Sequence, residues 1–224
     1  MKLKIFPSLF IGLLSYSCAT FETQNIAPGY IEAYKSLKNY FIGYDEGLIT
    51  KELISNIPYA SSTLRIGRGS LGLTILESID VNGATWVSSD GVYLVLDQSG
   101  KIVKTRGLLN NLIGLESVEF QVKDLISSSS KIFSSISYYS YDQPKLNLLP
   151  VTSKYTLLPK ETVNLLNQTL ELNVVTEEIV NEYLGWKETN KYWMDDSGFV
   201  WKSSQSPSPK LPTFYIEVTK KPAN

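Results

Sequence analysis

Residues 169–175 read TLELNVV. Leu170, Leu172 and Val174 fall on one side of an extended chain, and Thr169, Glu171 and Asn173 fall on the other. Side chains alternate with period two only in a strand, so the pattern predicts a strand with one buried face. TFYIEV at 213–218 repeats it, with Phe214, Ile216 and Val218 against Tyr215 and Glu217. SVEFQVK at 117–123 does so again, with Val118, Phe120 and Val122 against Glu119, Gln121 and Lys123. Such alternation belongs to antiparallel sheets.

Working outward, turn dipeptides punctuate the chain from residue 60 onward: Arg68-Gly69, Asn82-Gly83, Asp90-Gly91, Ser99-Gly100 and Ser197-Gly198. Asn-Gly and Asp-Gly supply the positive φ values of tight hairpins. Many strands joined by hairpins make a meander, and a long meander closes or splits into two sheets. The predicted fold is mainly β: an antiparallel meander forming a barrel or half-open barrel of about ten strands, with one or two short N-terminal helices packed at one end. In 30–41, Ile31, Tyr34, Leu37 and Phe41 recur at helical spacing between Pro28-Gly29 and Gly43. A second short helix is expected at 49–56, stopped before Pro58. Serine-rich 127–135 reads as a loop entering a strand, and 203–212, with three prolines, as an extended loop before the last strand. No internal repeat stands out.

The N-terminus, MKLKIFPSLFIGLLSYSCAT, has a different grammar. Lys2 and Lys4 precede a short apolar run, Ile5 to Leu14, and small residues come next at Ser15 and Ser17. This is an export signal, too short to span a bilayer. Ordinary signal peptidase fits Ser15 and Ser17. Lipoprotein signal peptidase needs the cysteine after them, although Leu14 stands one place early and Tyr16 is bulky. Cys18 is the only cysteine in the chain, and a leftover thiol in an exported protein calls for a use. Lipidation of Cys18 is the expectation. One acyl chain binds a bilayer marginally and several bind stably. Ala19, in place of Asp, predicts the periplasmic face of the outer membrane. The expected organisation is a lipoprotein signal peptide at 1–17, a lipidated tether at 18–29 and a single β-barrel-like domain at 30–224.

About 207 of the 224 residues remain after such a cleavage, enough for one large all-β domain. Losing Lys2 and Lys4 leaves 19 basic against 22 acidic residues, a net charge of −3. There is no basic stripe for nucleic acid. With Cys18 acylated no disulfide can form. The chain has no histidine, which removes the usual general base, the commonest metal ligand and the Ser-His or Cys-His nucleophile pairs. No catalytic residue, metal or cofactor is expected.

Other motifs read as structure. Gly67, Gly69 and Gly72 have G-x-G-x-x-G spacing, but a strand pattern stands directly after them, so they make a turn and not a nucleotide cradle. Asp195 and Asp196 sit with Ser197-Gly198 in turn chemistry, and neighbours on an extended chain point apart. Asn167-Gln168-Thr169 is a sequon on paper, inside a strand pattern. The aromatics Trp86, Tyr93, Tyr138, Tyr139, Tyr141, Tyr183, Trp186, Trp193 and Trp201 suit either core packing or the stacking of sugar rings. Arg65 faces inward beside a carboxylate or outward to solvent; alternation leaves both open.

Pro58-Tyr59, Leu64-Arg65, Trp86 with a following Ser and Asp, and then Gly100, Val103, Thr105, Gly107 and Leu108 ending at Asn111-Leu112 occur in order within 57–112. Trp193, Gly198 and a closing Lys-Pro stand near the C-terminus. Through these residues the chain resembles the group 4 capsule polysaccharide lipoproteins of the GfcB/YjbF type. The resemblance covers about half of the mature chain, and none of its motifs is a catalytic signature. It implies an outer-membrane-anchored, barrel-like lipoprotein that helps assemble or export surface polysaccharide, with no assigned chemical step. The expected partners are the outer membrane through the anchor, and a polysaccharide or a polysaccharide-secretion protein. Tyr59, Arg65, Trp86, Thr105, Asn111 and Trp193 are the candidate binding or family-motif residues. Two other readings stay open: a glycan-modifying enzyme using two carboxylates, and a lipid or lipoprotein carrier with a deep apolar cavity.

Overall fold

The structure, a computed structural model, describes residues 49–117 and 122–222. The chain separates into a unit Met1–Leu37 and a unit Lys38–Asn224, and every described residue belongs to the second. The expected signal peptide, Cys18, the tether and the helix at 30–41 lie outside the described residues.

A short helix α1 (Lys51–Ser55) opens the described chain. Thr50 caps it, its side chain accepting the Leu53 N–H. Twelve strands come after it: β1 (Ser61–Ile66), β2 (Gly72–Asp80), β3 (Gly83–Ser88), β4 (Tyr93–Leu96), β5 (Ile102–Arg106) and β6 (Leu112–Ser117). After a one-turn helix α2 (Asp124–Ser127) come β7 (Ile132–Asp142), β8 (Lys145–Asn164), β9 (Thr169–Asn181), β10 (Trp186–Met194), β11 (Val200–Gln205) and β12 (Phe214–Lys220). They form one antiparallel sheet in the order β5-β4-β3-β2-β1-β12-β11-β10-β9-β8-β7-β6. The meander is as expected, with twelve strands where the sequence suggested about ten. Each of the five turn dipeptides joins two consecutive strands. SVEFQVK departs from expectation: 118–121 lie outside the described residues, and Val122 and Lys123 form the turn into α2. Val122 is still buried, packed with Leu125, Tyr155 and Val175.

The two edge strands, β5 and β6, meet, so the sheet nearly closes into a barrel. Side chains carry the seam. Thr105 on β5 accepts the Leu112 N–H of β6 through its hydroxyl at 2.9 Å. Asn111 accepts the Leu108 N–H at 3.0 Å and donates to the Leu108 carbonyl and to Asp142. Its backbone N–H donates to Asp142 at 2.7 Å. Gly107, at φ +88°, begins this turn; a Cβ there would lie 2.3 Å from the Gly91 carbonyl oxygen.

Inside the barrel, Trp86, Leu94, Tyr139, Tyr141, Trp186 and Phe214 form one continuous core. Outside, the long β8–β9 hairpin folds back over the wall. A register shift between Leu158 and Glu161 marks the bend, at Pro159, which has no N–H for the ladder. Beyond the bend, Val163, Leu165 and Leu172 pack with Trp193 and Trp201. The hairpin tip then bonds to β12: the Leu166 N–H donates to Glu217 at 2.5 Å and Asn167 to the Thr219 carbonyl at 2.6 Å.

Candidate functional site

The overlying hairpin leaves a groove of about 410 Å³ against the outer wall of β11, β12 and β1. Strand register builds its floor. Lys202 of β11 pairs with Glu217 of β12, Glu217 with Thr63 of β1, and Tyr215 with Arg65. These residues share one face because each ladder keeps side-chain parity. Asn164 and Leu166 of the hairpin form the lip. A bulge on β11, where Trp201 stands unpaired between the Trp193–Lys202 and Met194–Val200 pairs, lets Val200 turn to the core while Trp201 packs outside with Trp193.

Charges and rings alternate along this wall. Lys191 Nζ stands 4.5 Å from the Trp193 ring centre and Lys202 Nζ stands 5.7 Å from it. The Trp193 indole N–H donates to Glu161 at 2.8 Å, and Lys191 donates to the same carboxylate at 2.9 Å. The Trp193 and Lys191 hydrogen bonds hold the Glu161 carboxyl below its ordinary value. Glu217 binds the Leu166 N–H and lies 3.8 Å from Lys202. It is the one carboxylate among the described groove-lining residues. Tyr215 is half exposed, at 46%. An aromatic face, two cations, an amide and hydroxyl-bearing neighbours make a surface that can stack a sugar ring and bond its rim.

The six sequence-chosen residues do not form one site. Arg65 lines the groove, and Trp193 stands beside it through Lys202. Thr105 and Asn111 hold the barrel seam. Trp86 is 3% exposed in the core, its indole N–H unpartnered. Tyr59 is 62% exposed, ahead of β1. Asp195 accepts from Ser197, Phe199 and Trp201, as a turn residue does.

Sequence reasoning missed a second polar assembly, inside the barrel. Glu177 of β9 is fully buried, and five side chains donate to it: Lys101 at 2.5 Å, Ser153 at 2.7 Å, Tyr155 at 2.7 Å, Asn190 at 2.9 Å and Tyr192 at 2.8 Å. Burial alone would raise its pKa, but the Lys101 charge and these hydrogen bonds outweigh burial and hold it at about 2. For Lys101, burial works against the charge, yet Glu177 keeps the ammonium pKa well above its ordinary value. Carried along β9, the alternation would have placed Glu177 outside with Thr169 and Glu171. Lys101 carried no signal at all. Tyr215 and Glu217 were legible as outward-facing from TFYIEV, though not as a groove.

Among the described residues, no cluster of three or more acidic side chains is placed to hold a metal ion. No helix among them is long and apolar enough to cross a membrane, which says nothing of strands.

The family model described as group 4 capsule polysaccharide lipoprotein gfcB, YjbF matches residues 34–219. The chain is similar to an uncharacterized lipoprotein, YjbF, of Escherichia coli (strain K12). They are 24% identical over 178 residues, covering 78% of this chain and 81% of that one. Its fold is similar to the crystal structure of the hypothetical lipoprotein YmcC from Escherichia coli (K12), with a TM-score of 0.64 and 21% identity, over 85% of this chain and 95% of that one.

Proposed function

Because the chain belongs to the group 4 capsule polysaccharide lipoprotein family of the GfcB/YjbF type, we propose that it assists capsule or exopolysaccharide assembly or export without catalysing a reaction, by holding the polymer in its outer groove. In this reading Cys18 anchors the protein at the periplasmic face of the outer membrane. The observation that carries the binding role is the groove itself, with Tyr215, Arg65 and Lys202 on its floor and Trp193 beside it. Extended polymers suit open surface grooves, where successive sugars stack and bond along a wall.

The two competing readings draw less support. Glycoside hydrolysis needs a pair of carboxyl groups roughly 5–10 Å apart across a cleft, and the described groove residues include Glu217 alone. A carrier needs an empty apolar interior, whereas Tyr139, Tyr141, Trp186 and Phe214 fill this one.

The test is to delete the gene and quantify polysaccharide on the surface, in the periplasm and in the medium. Surface polymer is expected to fall and to be restored by the wild-type gene. It should not be restored by Cys18→Ala, nor fully by Tyr215→Ala combined with Arg65→Ala, provided both proteins accumulate normally. Unchanged polymer in all three fractions overturns the role. Full rescue by the groove variant moves the role away from the groove.

A further inference from the structure

Three alternate strand connections, β5–β6, β7–β8 and β9–β10, lie at one end of the barrel, and each projects large apolar side chains into solvent. The β5–β6 turn exposes Leu109 at 88%, the start of β8 exposes Leu148 at 52%, and the β9–β10 turn exposes Tyr183 at 86% and Leu184 at 39%. Antiparallel alternation puts all three at the same end. Hydrogen bonds between the tips make them neighbours. Asn110 donates to the Gln143 carbonyl at 2.6 Å, tying the first tip to the β7–β8 turn. Asn181 donates to the Pro150 carbonyl at 2.7 Å, tying the third tip to β8 two residues beyond Leu148.

Each tip is also held in shape. Asn111 brackets Leu109 by bonding both the N–H and the carbonyl of Leu108. The Leu184 N–H donates to the Asn181 side chain at 2.7 Å. Leu148 sits at φ +52°, a conformation that L residues with a side chain avoid. Its N–H is clamped by the Ser140 hydroxyl at 3.0 Å. A bulky leucine in this conformation, turned outward instead of into the nearby core, points to a use at the surface. Single exposed apolar residues need no explanation, but four on adjoining, ordered tips form a patch. Lys145 and Lys187 flank it, with Glu182 beside Tyr183 and Glu188 after Lys187.

We infer that this rim dips into a phospholipid surface, seating the barrel end-on against the bilayer. Leucines and a tyrosine at loop tips with lysines at the flanks match the chemistry of the interface, where amphipathic rings and apolar tips enter the headgroup region and lysines meet phosphates. The occupant is lipid because the family is one of lipoproteins, and an anchor keeps a bilayer beside the domain at high effective concentration. The inference rests on that anchored reading.

Two exposed tyrosines test it. Tyr183 is on the rim at 86% exposure, and Tyr59 precedes β1 at the opposite end, at 62%. The full, acylated protein is reconstituted into phosphatidylethanolamine–phosphatidylglycerol vesicles, floated, and treated with a membrane-impermeant tyrosine reagent read by peptide mass spectrometry. Exposure alone makes Tyr183 react faster; seating on lipid inverts the order, so that Tyr59 reacts faster. Leu109→Ser with Leu184→Ser, both exposed, is expected to restore the original order. Tyr183 still reacting faster in wild-type vesicles overturns the inference, as does an inversion that survives the double substitution. A protein absent from the floated fraction overturns the anchored reading, and this inference with it.

Discussion

At the scale of single residues, the barrel is closed by a hydroxyl and an amide. The Thr105 Oγ1 takes the Leu112 N–H that a backbone carbonyl would take inside a ladder. Thr105→Val keeps the shape and removes the acceptor, leaving a buried N–H unpaired. The expected loss is about 1–3 kcal/mol by urea titration. The Glu177–Lys101 pair raises the stakes further, because removing one partner strands a buried charge. Lys101→Met is expected to cost roughly 3–5 kcal/mol. The signs of the two shifts set the pH dependence. Glu177 titrates at about 2 when folded, below its ordinary 4.5, so its contribution is complete above about pH 4.5 and drains away as the pH falls towards 2. Lys101 is raised above its ordinary 10.5, so its contribution is complete below that pH and is lost only as the pH climbs through the higher folded value. Stability from this pair is therefore level across neutral pH and falls on the acid side. In Lys101→Met the buried carboxylate loses its countercharge and its folded pKa rises towards or past the unfolded value, so the acid fall contributed by Glu177 should shrink or reverse even as the whole curve drops. An unchanged acid limb would remove Lys101 from that role.

At the scale of elements, the β8–β9 hairpin does two jobs. Its barrel half, from Thr176 upward, pairs with Thr156 and beyond as wall. Its distal half is a lid on the outer face, held by Val163, Leu165 and Leu172. Leu172→Ala should cost about 2–4 kcal/mol, the usual range for emptying a buried leucine site. It should also open 160–170 to limited proteolysis before the barrel unfolds. The two halves explain why alternation read in TLELNVV was right about Leu170 and Leu172 yet silent about Glu177. Leu172 and Val174 are buried on the outer side of the wall, while Val175, Glu177 and Ile179 fill the inside. Both faces of mid-β9 are covered, and a period-two pattern can announce only one of them.

At the scale of the whole molecule, a twelve-stranded sheet meets itself at a seam of side-chain bonds between β5 and β6. A seam with few backbone bonds opens more readily than a full ladder. Native-state hydrogen exchange should therefore show β5 and β6 amides exchanging well before those of β9 and β10. Equal protection would mean the seam is as firm as the ladders. The groove and the apolar rim are likewise properties of the closed object. Arg65 and Tyr215 are 150 positions apart and meet only because β1 pairs with β12.

By itself, the sequence determined the local geometry of this protein. Alternation marked β9 and β12, and Gly-containing dipeptides marked the turns, because φ preference and side-chain period act over a few residues. The order of motifs from Pro58 to Leu112 carried the family. The tertiary structure alone decided that Thr105 and Asn111 hold a seam, that Trp86 is core, that Lys101 finds Glu177, and that Tyr215 faces Arg65 in a groove. Those contacts join residues far apart in the chain, and their energies depend on burial and on partners that no local pattern encodes.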